Sequence, residues 1–412
     1  MTDATAGPSG AVARASVVRV GVATAITALC GYAVLYLAAR GLEPAGFSVF
    51  GVFWGAFGLA SGAAFGLLQE TTREVRSPSA RPGAGRTHPM RVAAGVGLAA
   101  AAVIAATSPV WSAHVFVDAR WLSVALLCAG LAGFCLHTTL LGALAGSNRW
   151  SEYGALMVAD AVLRVVVAAA TFTVGWGLGG YLWATVAGSF AWVLLVVVSP
   201  VTRAAARVIT PGDTMTFLRG TGHSIAAAGA SAVLVMGFPV LLKATSDDLG
   251  AAGGVVILAV TLTRAPLLVP LTAMQGNLIA HFIDQRHHRL KALIAPSALV
   301  ALLGGTGIVL AATFGPWLLR EGFGDQYQAG GALLAWLTAA AVAIALLTLT
   351  GAATVAVARH RAYAAGWVIA TVAAALLLLL PLDLEVRTVV ALLCGPLLGI
   401  AVHLVALARA PR

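Results

Sequence analysis

Charge is scarce in this sequence. Asp, Glu, Lys and Arg together make up 10% of 412 residues, against about 25% in a soluble domain. Sixty per cent of the residues are hydrophobic and the mean hydropathy is +0.94. One core cannot hide that much apolar surface, because globular cores stop growing near about 250–300 residues. The composition excludes a soluble domain, a coiled coil, a disordered chain and a disulfide scaffold, and leaves lipid as the main solvent. Lysine is nearly missing: Lys243 and Lys291 stand against 23 arginines, a skew that reads as high-GC coding bias. Cysteine is limited to Cys30, Cys128, Cys135 and Cys394, all inside apolar segments. With no second pair or histidine cluster beside them they form no metal site and are expected to be buried and inert. No connection is long enough for a soluble catalytic domain, and no G-x-x-x-x-G-K-[ST] phosphate loop occurs, so ATP hydrolysis is excluded.

What is present is a succession of apolar runs. A membrane-spanning helix needs about 20 apolar residues, and twelve such runs lie near 17–39, 47–68, 92–112, 121–145, 153–174, 179–199, 223–242, 252–275, 292–315, 331–357, 362–381 and 388–408. None alternates as a barrel strand would. The first run has 23 residues, too long for a secretory h-region of about 7–15, and is expected to be a span. Trp111, Trp121, Trp150, Trp176 and Trp317 fall at or near predicted helix ends, as an interfacial aromatic belt requires.

Orientation follows from the basic residues. With the N-terminus inside, 18 Lys and Arg fall in inside segments, 5 in outside loops and 2 within spans. That bias predicts cytoplasmic termini in the plasma (inner) membrane. It also accounts for the net charge of +10 without a nucleic-acid partner. The cluster Arg286, His287, His288 and Arg289 then lies in an inside loop, where contact with anionic membrane lipids explains it.

The longest connections, 69–91 and 200–222, are both expected inside, and the second divides the spans into six plus six. The expected organisation is an all-α integral membrane protein: a tail 1–16, a six-helix lobe 17–199, a linker 200–222, a second lobe 223–408 and a tail 409–412. Matches near half-chain offset support a duplication weakly: Arg40 with Lys243, Glu43 with Asp247, Gly46 with Gly250, and Gln69 with Gln275.

Charges buried in hydrocarbon are costly and therefore point to function. Three fall within the predicted spans. Asp160 and Arg164 are one helical turn apart and can pair along one helix face, either as a structural staple or as part of a site. Arg264 has no acidic residue within a turn or two and precedes Pro266 and Pro270, each of which removes a backbone hydrogen bond. It needs a partner from another helix or an anion, and the expected kink suits a cavity wall. The lone histidines His137 and His403 are expected to be hydrogen-bonded core residues.

The opening stretch VVRVGVATAITALCGYAVLYLAARGLEPAGFSVFGVFWG resembles the first two helices of O-antigen-flippase-like polysaccharide exporters. These belong to the multidrug/oligosaccharidyl-lipid/polysaccharide (MOP) exporter superfamily. The stretch LAVTLTRAPLLVPLTAMQGNLIAHF resembles the second lobe of actinobacterial members, and the six-plus-six layout agrees over nearly the whole chain. The resemblance implies two lobes in a V, with a cationic cavity between them for the diphosphate and sugars of a polyprenyl-linked glycan. It implies no cofactor and no enzymatic step, and makes glycosyltransferases or a polymerase of the same pathway possible partners. Family-like positions fall on Arg264, and by extension on Arg164, Gln69 and Gln275, with Asp160 beside Arg164.

Three other readings compete. A multidrug or cation antiporter of the same superfamily usually needs an unpaired acidic residue in a lobe, and the first span has none. A major-facilitator carrier would show an acidic-basic-glycine pattern between spans two and three, where QETTREVRSPSARPGAGRTHPMR has none. A membrane glycosyltransferase would need a developed outer acceptor loop around Glu43 or Asp247–Asp248, and those loops are short. The orientation is directly testable. Single cysteines at Pro82 and Ser246, in a chain lacking the native four, are expected to label from opposite sides; labelling of position 82 from outside intact cells overturns it.

Overall fold

The computed structural model describes residues 9–76, 86–285 and 289–409. The first half runs α1 (Ser9–Gly41), α2 (Pro44–Arg76), β1 (Arg86–Thr87), α3 (Pro89–Val115), α4 (Arg120–Gly146) and α5 (Trp150–Val174). It ends with α6 (Gly177–Ala187), a 3₁₀ turn at Gly188–Phe190, α7 (Ala191–Val198) and α8 (Pro200–Ala206). The second half runs β2 (Thr210–Pro211), α9 (Thr214–Val235), α10 (Phe238–Ala244), α11 (Gly250–Ala273), α12 (Gln275–Asp284) and α13 (Arg289–Ala292). It closes with α14 (Ile294–Phe323), α15 (Gly331–Ala356), α16 (His360–Leu378) and α17 (Leu384–Ala408). Among the described residues, eleven helices are long and apolar enough to cross a membrane, and the bent pair α9–α10 makes a twelfth. The protein is a nearly all-helical, multi-pass membrane protein.

Differences from the sequence expectation have local causes. The seventh span begins at Thr214, inside the segment expected to be linker, because Asp213 caps α9 by accepting from the Met215 and Thr216 N–H groups. It is broken at Met236–Gly237 by a 67° bend. The eighth span, where Pro266 and Pro270 predict a kink, runs on as helix through both prolines to Ala273. A marked break lies in the seventh span, one span before these prolines. The two longest connections meet each other: β1 pairs antiparallel with β2, Thr87 opposite Thr210, and Thr87 Oγ1 donates to Gly212 O at 3.0 Å. Arg286, His287 and His288 lie outside the described residues, as does Pro82. Ser246 is buried and accepts a hydrogen bond from Arg387 Nη2 at 2.7 Å. The exposed neighbour Asp248 is therefore the sounder labelling position on that connection.

Within the first half, α1 packs on α5, and α4 on α2 and α3; within the second, α17 packs on α15 and α16. The two halves meet along α2, which lies against both α9 and α11. The contact face is a ridge of glycines: Gly51, Gly55, Gly58, Gly62 and Gly66. Their spacing of three and four keeps them on one helix face. A methyl group on Gly62 would come within 2.7 Å of Ala232 Cβ, and one on Gly55 within 3.0 Å of Pro239. At Gly66 it would meet the backbone of Ser224 and Ile225. Small residues let membrane helices approach closely enough for extended dispersion contact, which lipid does not otherwise drive.

At the end of the bundle opposite the termini, aromatic rings join the halves. Tyr327, fully buried, donates to Leu42 O at 3.1 Å and meets Phe47 edge-to-face at 5.9 Å. Tyr36 meets Phe323 in the same manner at 5.7 Å. Tyr181, from the first half, donates to Leu37 O at 2.8 Å. Two tyrosines, one from each half, thus bond carbonyls in the last turn of α1 and just past it. That end is closed.

The glycine ridge makes a prediction. Gly66→Ala is expected to destabilise the protein by about 1–3 kcal/mol through overpacking against backbone. Gly95→Ala, where nothing lies within 4 Å, is expected to be neutral or stabilising by up to about 1 kcal/mol from helix propensity. Thermal unfolding in detergent, followed by size-exclusion fluorescence, checks both; equal behaviour of the two variants contradicts the close-packed seam.

Candidate functional site: two buried arginines at helix breaks

Asp160 and Arg164 lie on α5, four residues apart. The side chains are each 13% exposed and joined by Nη2–Oδ1 at 2.9 Å. Nε donates to both carboxylate oxygens, at 3.2 and 3.3 Å. Arg164 Nη1 donates to Thr185 O in α6, just before the helix tightens into the 3₁₀ turn. The guanidinium also stacks 5.4 Å over the Phe57 ring of α2. Gly188 at the turn is pressed against the pair and leaves no room for a side chain. The pair cancels its own charge and ties three elements of the first half together.

Arg264 stands near the middle of the 24-residue α11 and is 7% exposed. Its Nη1 donates to Val235 O at 3.1 Å and approaches Leu234 O at 3.5 Å. Its plane lies 5.3 Å over Phe238. These are the last residues of α9 and the first of α10, so the guanidinium caps the broken helix at its negative end. The chain needs that donor. Pro239 has no N–H to give Val235 O, and the final α9 bonds converge on Ala232 O, from Met236 and Gly237. Nη2 is buried with no hydrogen-bond partner among the described residues. A buried unmatched donor costs about 1–3 kcal/mol, more when charged, which makes Nη2 the candidate point of contact for a ligand.

The other expected positions are not brought to this place. Gln69 is exposed near the end of α2, and the side chain of Gln275 lies outside the described residues. Among the described contacts Arg264 meets neither Asp160 nor Arg164. His403 is a hydrogen-bonded core residue, with Thr350 Oγ1 at 3.0 Å and Tyr363 O at 3.2 Å. His137 stacks on Phe134 at 5.4 Å, but its Nδ1 has no partner among the described residues. The four cysteines are free; only Cys135 is buried and the others are half-buried.

Sequence reasoning passed over Glu70. Its side chain is 2% exposed, its carboxylate pairs with Arg73 Nη2 at 2.6 Å, and it lies flush against Gly220 of α9. The i, i+3 spacing of Glu70 and Arg73 was the available signal. The G-x-x-x-G spacing of the α2 ridge was equally legible and equally unread.

Because the Asp160–Arg164 pair is mutually dependent, removing one partner strands the other. Arg164→Ala is expected to cost about 3–5 kcal/mol and to lower accumulation in the membrane. The double substitution Asp160→Ala with Arg164→Ala is expected to recover most of that loss. Quantified membrane levels and thermal midpoints check this; a double variant no better than the single one shows the pair is not the coupled unit.

No established sequence family matches the chain. The uncharacterized protein Rv3630 of Mycobacterium tuberculosis (strain ATCC 25618 / H37Rv) is 71% identical over 403 residues, covering 97% of this chain and 94% of that protein. The uncharacterized protein Rv1510 of the same strain is 66% identical over 415 residues, covering 100% and 96%. Among solved structures, an inward-facing multidrug resistance MATE family transporter of the MOP superfamily superposes with a TM-score of 0.70 at 14% identity, over 93% of this chain and 94% of that one. Its outward-facing conformation gives 0.66 at 14% identity, over 95% and 94%. A MOP superfamily transporter from Pyrococcus furiosus, described as having a binding pocket of reverse polarity, gives 0.61 at 13% identity, over 95% of each chain. The chain therefore has the fold of the MATE transporters of the MOP superfamily, and it belongs to the family of mycobacterial proteins that includes Rv3630 and Rv1510.

Proposed function

We propose that this protein is a membrane exporter, not an enzyme, that carries a polyprenyl-diphosphate-linked glycan from the inner to the outer leaflet by alternating access. The observation that carries the reading is Arg264: a buried guanidinium beside the seam between the halves, with Nη2 unmatched. Guanidinium stays charged when desolvated and binds phosphate oxygens through paired donors. Asp160, Arg164 and Arg264 give the span interiors a net charge of +1 among the described residues, and the one carboxylate of the three is already neutralised. That balance suits an anionic headgroup and is unfavourable for an organic cation. The MATE neighbours are named as multidrug transporters and supply the second reading, in which the cargo is a drug-like molecule. The charge balance favours the glycan.

The headgroup problem is physical. Unpaired polar groups cost several kcal/mol each in hydrocarbon, across a core about 30 Å thick, so a diphosphate with sugars needs a lined passage while its lipid tail stays in the bilayer. With cytoplasmic termini in the plasma membrane, the aromatic contacts join the halves at the outer end. Membrane lipids and the glycosyltransferases or polymerase of the same pathway are the partners this reading entails.

Arg264→Ala is expected to reduce transport about ten- to a hundred-fold, the range for losing a charge-assisted hydrogen bond. Arg264→Lys is expected to restore part of it, because a point charge lacks the paired geometry. Depleting the protein is expected to trap lipid-linked glycan on the cytoplasmic leaflet while its synthesis continues. Extraction of lipid-linked intermediates, with a membrane-impermeant glycan-modifying reagent to report sidedness, checks this. Normal surface delivery with no trapped intermediate refutes the flippase reading and promotes a small-solute exporter, and a glycan lacking one sugar promotes a glycosyltransferase.

A further inference from the structure

The bend in the seventh span and the unmatched donor of Arg264 are parts of one arrangement. Four carbonyls lose their regular i+4 donors at the break: those of Val233, Leu234, Val235 and Met236, which would bond to residues 237, 238, 239 and 240 in an unbroken helix. Gly237 N–H has turned to Ala232 O at 2.9 Å instead. Arg264 Nη1 covers Leu234 O and Val235 O, and Phe238 holds the guanidinium in place. If the bend relaxed, Leu234 O would regain the Phe238 N–H, and Pro239 would leave only Val235 O without a backbone donor. The bent form therefore depends on Arg264 for more carbonyls than the relaxed form does.

The break also lies in the seam. Gly58 of α2 faces Met236, and Gly55 faces Pro239 so closely that a methyl group there would come within 3.0 Å of its ring. Any change of angle between α9 and α10 is consequently felt by the other half of the molecule.

We propose that the bend in the seventh span reports anion occupancy: the diphosphate of the cargo competes with the Leu234 and Val235 carbonyls for Arg264, and its arrival relaxes the bend. This rests on the anionic cargo proposed above and adds how loading is communicated to the seam. Phosphate oxygens are stronger acceptors than carbonyls, and Nη2 is free to make the first contact. As Nη1 follows, the bent form loses its cap. By reciprocity, whatever weakens the cap strengthens anion binding. The difference of one buried carbonyl corresponds to about a ten-fold change in the ratio of bent to relaxed molecules.

The experiment is a distance measurement. Nitroxide labels at Ala226 and Ala244, both exposed, in a chain whose native cysteines are replaced, flank the break on either side. At 67° the backbone separation is about 22 Å from a rise of 1.5 Å per residue. It becomes about 25 Å if the bend falls to the 20° or so that proline alone imposes. Inorganic pyrophosphate added to the reconstituted protein is expected to move the distribution to the longer distance, with the ratio changing about ten-fold. Arg264→Gln is expected to show the longer distance without pyrophosphate and no response to it. Phe238→Leu, which retains Arg264, is expected to lower the pyrophosphate concentration at half-effect about three-fold, by weakening the stack that holds the cap. Titration calorimetry on the same samples separates the two ideas. Pyrophosphate binding that requires Arg264 but leaves the distance unchanged overturns the coupling and leaves the anionic-cargo reading standing. No binding to the otherwise unsubstituted chain overturns both.

Discussion

The close approach of α2 to α9 and α11 is the constraint on which the rest of the structure depends. Lipid offers apolar side chains no reason to leave it, so two membrane halves hold together only through tight dispersion contact and hydrogen bonds between helices. Five glycines on one face of α2 provide the first, bringing its backbone against Ala232, Pro239 and the Ser224–Ile225 peptide. Because α2 also packs on α4 and α6, the same helix is a core element of the first half and the seam to the second. The break in the seventh span, the buried Glu70 and the joining of β1 to β2 all border this seam.

The two arginines within spans answer a second constraint of the same solvent. A carbonyl freed by a helix irregularity finds no water in hydrocarbon and must be met by protein. Arg164 meets one before the 3₁₀ turn of the sixth span, and Arg264 meets two at the break of the seventh. Each stacks on a phenylalanine, Phe57 or Phe238. They differ in what remains. Arg164 has a carboxylate beside it and is neutral as a pair, whereas Arg264 keeps a charge and an unmatched donor. The difference arises from one residue, Asp160, having no counterpart beside Arg264.

How much of this was legible in the sequence varies with the range of the interaction. The spans and their number follow from composition and run length, because hydrocarbon thickness sets helix length directly. The Asp160–Arg164 pair was equally legible, since four residues is one helical turn. The prolines of α11 point to the eighth span, whereas the 67° bend lies in the seventh. A proline removes one donor wherever it lies, but whether the helix bends there depends on what replaces that donor. In the seventh span the replacement is Arg264, 25 or more residues away along the chain and on another helix. Likewise Gln69 and Gln275 matched by spacing, yet Gln69 is exposed, and the buried polar group at that end of α2 is its neighbour Glu70.

By itself the sequence determined that the chain crosses a membrane as apolar helices, about where each crossing lies, and that charge is placed inside two of them. Those properties depend on residues adjacent in the chain, or one turn apart, and on the dielectric contrast between lipid and water. The tertiary structure alone decided which helix joins the halves, that the seventh span is broken, that Tyr36 and Tyr327 bridge the halves at one end, and that Arg264 caps another helix. Each of these requires groups far apart in sequence to come within a few ångströms, and local propensity carries no information about which distant surface a helix face will meet.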